Sequence, residues 1–394
     1  MPTLLAICLV LALASMLLTA VTHVAVRTRL SSSRTPKTPS TPPLSVLKPL
    51  KGVDDDLYDN LASLAAQDYP DFELVLGCED PSDAALLVAR RLQREFPHVA
   101  IRIVAGAAQR GHNPKVNNLH MLSRAATHDW LLVSDASVRA RPDYLRSMVS
   151  ELADGVGLVS SMLVGSGELN LGARLDNLQM NSFVARGVCG AQMLASHPCV
   201  VGKSMLFRRS VLERLGGFAL VENVLAEDYV MGQRFRDAGL GVVLSSHTLP
   251  SVCSKKSLSE FCARQVRWSQ MRRHLAPLMY WGELLQSPTP WLLASFALVA
   301  GGAAAGNAGS LAVLLVAALS LRLLSDARLV RALRGEPLSP RDYFALVLKD
   351  VCFLWIWLRG GLERQVCWRG VSLRIGPGSV LSANVDEEQA LEGA

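Results

Sequence analysis

Two adjacent carboxylates, Glu227 and Asp228, stand in Ala226-Glu227-Asp228-Tyr229, where a helix-like stretch over residues 228–238 begins. A carboxylate at such a place can take a proton from a hydroxyl as that hydroxyl attacks an electrophile, so Asp228 is the candidate base. A helix start stabilises negative charge, which predicts a low proton affinity for it. A second group follows in Arg264-Gln265-Val266-Arg267-Trp268. The spacing i,i+3 and i,i+4 puts Arg264, Arg267 and Trp268 on one helix face. Guanidinium groups match diphosphate oxygens and can neutralise a nucleotide leaving group. A basic helix lying on a membrane with an interfacial Trp would have the same composition.

These groups need a scaffold, and the chain between residues 45 and 254 supplies one. Short apolar runs fall at 45–50, 73–78, 100–105, 130–134, 156–163, 200–207 and 241–245, with helix-like stretches at 54–66, 83–95, 142–152, 170–186 and 228–238. Strands alternating with helices predict an α/β fold with a largely parallel sheet covered on both faces. Ligands of such sheets bind at the carboxyl ends of strands, where Lys48, Glu79, Asp80, Asp135 and Ser137 fall. Asp80 could accept hydrogen bonds from a base edge or a ribose, although Pro81 also suits a plain turn. Asp135 closes the most apolar strand, and a divalent cation bridging two phosphates needs carboxylate oxygen at such a rim. The residue two further on is Ser137 rather than a second acid. In His112-Asn113-Pro114-Lys115-Val116-Asn117-Asn118, Lys115 could meet a phosphate or the donor sugar, and Asn117 is a plausible helix cap. Gly202-Lys203-Ser204 ends like a phosphate-binding loop, but position 197 is His where the first glycine would be, which excludes triphosphate hydrolysis on that motif.

The ends of the chain differ in character from its middle. Mean hydropathy is +0.26, and the apolar residues concentrate at the two ends, which predicts a globular domain attached to a membrane. Thr3–Val26 is uncharged and long enough to span a bilayer. Arg27, Arg29, Arg34 and Lys37 follow it and predict a cytoplasmic globular part. The run is too long for the apolar core of a cleaved signal and has no basic residue before it. Residues 31–43 are a Ser/Pro/Thr-rich linker. Towards the other end, Leu258–His274 reads as an interfacial amphipathic helix. Runs 291–308 and 310–324 read as a membrane hairpin, with a re-entrant loop as the alternative. Residues 342–358 read as an in-plane helix because Lys349 and Asp350 interrupt the apolar run. The expected division is therefore a transmembrane anchor (1–27), a linker (28–44), the catalytic domain (45–254), interfacial helices (255–286), a membrane hairpin with an interfacial helix (287–360) and a cytoplasmic tail (361–394) whose acidic end lacks core-forming residues. The net charge of +6 clusters beside apolar segments, which fits lipid headgroups and not nucleic acid. The eight cysteines have no CxxC spacing, which predicts neither a disulfide framework nor a zinc site. Cys199 reads as a small buried hydrophobe.

Taken in order, Asp80, Asp135, Glu227-Asp228 and Arg264-x-x-Arg267-Trp268 resemble the D, D, D, (Q/R)xxRW series of membrane glycosyltransferases with the GT-A fold, a Rossmann-like domain. Within that group the chain looks most like the ceramide glucosyltransferases of family 21. The matching text is Leu47-Lys48-Pro49-Leu50-Lys51-Gly52, Gly111 to Leu119, Ser134-Asp135-Ala136-Ser137-Val138-Arg139, Val156-Gly157-Leu158-Val159 and Ala226-Glu227-Asp228-Tyr229. The likeness covers roughly residues 45–275, and the ends match by topology. It implies a UDP-sugar donor, usually UDP-glucose, transfer with inversion to a membrane lipid such as ceramide, and a Mg2+ or Mn2+ ion. Asp228 would be the base and Asp80 would meet the nucleoside. Asp135 would hold the metal and diphosphate, Lys48 and Lys115 would belong to the donor site, and Arg264, Arg267 and Trp268 would bind the diphosphate. A hopanoid-type glycosyltransferase using UDP-N-acetylglucosamine is the nearest alternative, and a non-catalytic sugar-nucleotide or lipid-binding membrane protein is the alternative of a different class.

Overall fold

A computed structural model describes residues 1–32, 41–53, 56–106, 109–197, 199–304, 306–368 and 371–383. Residues 33–40 of the expected linker, with Arg34 and Lys37, and the acidic C-terminal stretch lie outside the described residues. In chain order the elements are α1 (Pro2–Ser31), β1 (Leu44–Pro49), α2 (Leu57–Ala65), β2 (Phe72–Cys78), α3 (Ala85–Glu95), β3 (Ala100–Ala105), α4 (Pro114–Ala125), β4 (Trp130–Ser134), α5 (Tyr144–Ser150), β5 (Val156–Ser166), α6 (Leu171–Gln179), α7 (Ala185–Ala195), β6 (Ser204–Arg208) and α8 (Arg209–Arg214). There follow α9 (Glu227–Asp237), β7 (Gly241–Val252), α10 (Leu258–Leu275), α11 (Pro277–Gly282), α12 (Thr289–Ala300), α13 (Ala308–Arg334), α14 (Pro340–Leu362), β8 (Gln365–Trp368), β9 (Val371–Ile375) and β10 (Leu381–Ala383). One π-helical turn, Met180–Val184, joins α6 to α7.

Two units divide this list. The first comprises Leu30–Leu163, His197–Cys253 and Arg364–Ala394. Its seven-stranded sheet has the order β3-β2-β1-β4-β6-β5-β7. Strands β3, β2, β1 and β4 are parallel, with Leu47 opposite both Val75 and Val133. The strand expected over 200–207 is shorter and runs against its neighbours: β6 is antiparallel to both β4 and β5. Each parallel crossover carries a helix over the sheet, as two-sided burial demands. Leu119 and Leu122 of α4, Leu131 and Val133 of β4, Met205 and Phe207 of β6 and Phe235 of α9 share one buried core. Strands β8, β9 and β10, which fall in the expected tail, form a small antiparallel sheet of order β10-β9-β8.

The second unit comprises Met1–Arg29, Val164–Ser196 and Ser254–Glu363 and is helical. Two of its helices, α1 and α13, are long and apolar enough to cross a membrane. Helix α12 is short, rising about 18 Å against a hydrocarbon core of about 30 Å, so the two expected hairpin arms are unequal. Leu5 and Ala12 of α1 pack with Leu292 and Val299 of α12 and Leu315 of α13. Lys349 and Asp350, which interrupt the apolar run, are buried inside the unit. Asp350 accepts from Arg322 of α13 at 2.8 Å, from Lys349 at 2.6 Å and from Thr289 of α12 at 2.6 Å. Arg322 also pairs with Asp326 one turn on, at 2.5 Å. A charge buried among apolar helices persists only when paired in this way.

Candidate active site

The carboxyl ends of β1 and β4 lie side by side and deliver Lys48 and Asp135. Lys48 is fully buried in β1. Its Nζ donates to Ser134 Oγ at 3.2 Å and to the carbonyl of Asp135. Burial pulls this ammonium down to about 7, against the opposing effect of Asp135.

Helix α4 delivers Lys115. Its cap is Asn113, whose side chain accepts from the Val116 amide at 3.1 Å, with Pro114 at the first helical position. Asn117, the expected cap, lies inside the helix and closes the preceding loop instead, accepting from the Gly111 amide and donating to its carbonyl, both at 3.0 Å. Lys115 Nζ donates to Asp135 Oδ1 at 3.0 Å, Glu227 Oε1 at 2.9 Å and the Gly202 carbonyl at 2.9 Å. These three acceptors use its three N–H groups, so it serves as the hub of the acids. Burial lowers its proton affinity, but Asp135, Glu227 and Asp228 together outweigh burial and hold it well above the ordinary lysine range.

Helix α9 begins with the acidic pair. Asp228 Oδ2 accepts from the Gly202 amide at 2.5 Å, and Oδ1 accepts from the Tyr229 amide at 2.8 Å. A Cβ on Gly202 would lie 2.8 Å from Oδ2, so only glycine lets the backbone approach the carboxylate. The low proton affinity expected for Asp228 is reversed. Burial and the neighbouring Glu227 carboxylate push it up to about 7, while Lys115 and the two amides pull the other way. The C-terminal sheet, which sequence reasoning missed, fixes the entry to this helix. Ser379, in a left-handed conformation with φ 57°, accepts from the Leu225 amide at its carbonyl (2.9 Å) and from the Ala226 amide at its hydroxyl (3.2 Å). No local signal in the sequence ties residue 379 to residue 226.

Asp80 stands on an exposed turn after β2 and accepts from the Ser82 amide at 2.8 Å and hydroxyl at 2.7 Å. Those bonds hold its carboxyl below the usual range. Arg264, Arg267 and Trp268 belong to α10 in the helical unit. Arg264 stacks over the Trp268 ring at 4.6 Å and pairs with Asp176 of α6. Asp176 is buried and also accepts from Lys256 at 2.6 Å and Gln265 at 3.0 Å. Burial would raise its proton affinity, but Arg264 and Lys256 bring it down to about 2. Asp176 was not singled out in the sequence, since a lone helical acid has no signature. Replacing Asp176 by Asn leaves two cations beside an uncharged amide and is expected to cost on the order of 3 kcal/mol. The check is the melting temperature of the purified protein, which should fall by several degrees, and Asp176→Glu should recover part of the loss.

Around Asp135 the donor set can be tested against a divalent cation. One of its oxygens is taken by Lys115, and Ser137 stands two residues on, its hydroxyl accepting from Lys203 at 2.8 Å. One carboxylate among Lys48, Lys115 and Lys203 does not make a cage for a resident cation. It suits a cation carried in on a diphosphate, which supplies most of the oxygens itself.

A worm protein, ceramide glucosyltransferase 3 of Caenorhabditis elegans, is 27% identical over 258 residues, covering 65% of this chain and 56% of that protein. A yeast ceramide glucosyltransferase, from Komagataella phaffii, is 26% identical over 289 residues, covering 59% of this chain and 57% of that protein. The chain thus spans little more than half the length of the curated relatives it matches. Among solved structures, a mannosyltransferase from Pyrobaculum calidifontis in complex with GDP-Man and Mn2+ superposes with a TM-score of 0.56 at 20% identity, covering 91% of this chain and 99% of that one. That likeness shows the GT-A fold. The model of glycosyl transferase family 21 matches residues 7–381, and the chain belongs to that family.

Proposed function

We propose that the protein is an inverting glycosyltransferase that moves a hexose, glucose first among the candidates, from a UDP-sugar to the primary hydroxyl of a membrane lipid, with ceramide as acceptor and glucosylceramide as product. The single observation that carries the reaction is Asp228, a carboxylate of raised proton affinity braced on the Gly202 amide at the start of α9. The names of the relatives support the lipid and the sugar. The acceptor oxygen attacks the anomeric carbon from the face opposite UDP, and a new C–O bond forms as the bond to the diphosphate oxygen breaks. The acceptor proton passes to Asp228, and UDP leaves with the electron pair. Lys115 keeps Asp135 and Glu227 in place around that step. Asp80 is assigned to the nucleoside, Lys48 and Asp135 to the diphosphate end, and Arg264, Arg267 and Trp268 keep the diphosphate role that family resemblance implies. A Mg2+ or Mn2+ ion entering with the donor would be held through Asp135 and would neutralise charge on the diphosphate.

Helices α1 and α13 are proposed to cross the bilayer, with α12 entering it and α10 at its surface. Arg27 and Arg29 stand in the last turns of α1, after its apolar stretch, and favour a cytoplasmic catalytic unit. Membranes carrying the full chain, supplied with ceramide, Mn2+ and either UDP-glucose, UDP-N-acetylglucosamine or UDP-galactose, test the reading by mass spectrometry of the lipids. A hexosylceramide formed from UDP-glucose, and absent with Asp228→Asn, is the expected result. Transfer to a hopanoid or diacylglycerol in place of ceramide would replace the acceptor and leave the chemistry. UDP binding with no transfer to any lipid would overturn the enzyme reading.

A further inference from the structure

Lys203 has no role in the reaction described above, yet it stands beside Asp135. It precedes β6, which pairs antiparallel with β4 so that Ser204 faces Ser134. The Asp135 amide donates to the Lys203 carbonyl at 3.2 Å. The Lys203 side chain then reaches Ser137 Oγ at 2.8 Å and Ser251 Oγ at 2.7 Å. These hydroxyls lie 3.3 Å apart. The turn bearing Ser137 and strand β7 bearing Ser251 are joined by the Val252 amide donating to the Ser137 carbonyl at 2.8 Å and by a bridge between Val138 and Ser251. The ammonium therefore sits on a rigid two-serine shelf at the position two residues after Asp135. Hydroxyls orient a charge without neutralising it. A carboxylate at position 137 would recruit a dication there, because hard cations need anionic oxygen. A serine bonded to a lysine supplies no anionic oxygen for a dication, and the ammonium it orients offers a positive charge of its own to a phosphate.

We propose that Lys203, pinned by Ser137 and Ser251, is a ligand for the diphosphate of the nucleotide donor and takes over charge that a second metal-binding carboxylate would otherwise assign to a divalent cation. The inference rests on the reading of the Asp135 edge as the donor site, and it goes further in stating that UDP binds this protein with little dependence on added metal.

The test is UDP binding to the full chain in lipid nanodiscs by calorimetry, with EDTA and with Mn2+. Wild-type protein should bind in both conditions, with affinities within about tenfold of one another. Lys203→Met should weaken binding in EDTA by about 10- to 100-fold, the range of one charge-assisted hydrogen bond. Lys203→Arg should restore it, which separates loss of charge from loss of fold. The double variant Ser137→Asp, Lys203→Met should bind only with Mn2+. Wild-type binding that disappears in EDTA, or Lys203→Met binding as tightly as wild type in EDTA, would overturn the inference and leave the donor site standing. No UDP binding to wild type in either condition would overturn the donor site and this inference with it.

Discussion

Asp228→Asn is expected to lower kcat by about 10³-fold, within the range for loss of a general base, and to leave UDP affinity within about threefold. The substitution keeps the shape, but its single carbonyl oxygen can accept from the Gly202 amide or the Tyr229 amide and not both, so a loss of stability of about 1–3 kcal/mol accompanies it. It removes the only group in α9 that both faces that amide and carries a proton affinity suited to the task. The same group sets the pH profile. A base works when ionised, and burial with Glu227 raises the affinity of Asp228 to about 7. The sign follows: kcat/KM should be flat above about pH 8 and fall about tenfold per pH unit below about pH 6. Initial rates of lipid glycosylation across that range read it directly. An acid limb near pH 4 would mean that the helix start governs Asp228 and that burial does not. The residual activity of Asp228→Asn should lack the limb altogether.

The reach of sequence reasoning varied with the range of the interactions. All seven strands of the main sheet were legible, because each contains a short apolar run, even the edge strand β3, where Ile101 is the one buried side chain. The direction of β6 was not, since antiparallel and parallel strands buried on both faces read alike. Gly202 looked like a broken phosphate loop because its purpose depends on α9 arriving opposite it, at residue 228. The affinity of Asp228 was misread for the same reason. The helix start and the adjacent Glu227 are local features and visible in sequence, whereas the burial that raises Asp228 most is tertiary. In the helical unit, Lys349 and Asp350 looked like a defect in an apolar run until Arg322 and Thr289 supplied partners from other helices. The C-terminal sheet has strands of three to five residues, too short for periodicity to register, and Ser379 acts through backbone geometry that composition does not encode.

Opposite shifts of the acid limb are expected when the two charges nearest Asp228 are altered. Lys115→Met removes the cation that opposes protonation of Asp228, so its affinity should rise further and the limb should move to higher pH. Glu227→Gln removes the adjacent negative charge, so the affinity should fall and the limb should move to lower pH. The two variants differ in stability as well. Lys115 donates to Asp135 and Glu227, and its loss leaves those acids buried without their partner, at a cost of about 3–5 kcal/mol and with activity reduced by at least about 10²-fold. Glu227→Gln keeps an acceptor oxygen for Lys115 at the same position and should cost less. Measured profiles for both variants distinguish an electrostatic hub from a purely structural one. If Lys115 only held the loops together, Lys115→Met would lower the rate at every pH alike and Glu227→Gln would leave the limb where it is. If the hub sets the charge of the base, the limbs separate in opposite directions about the wild-type value.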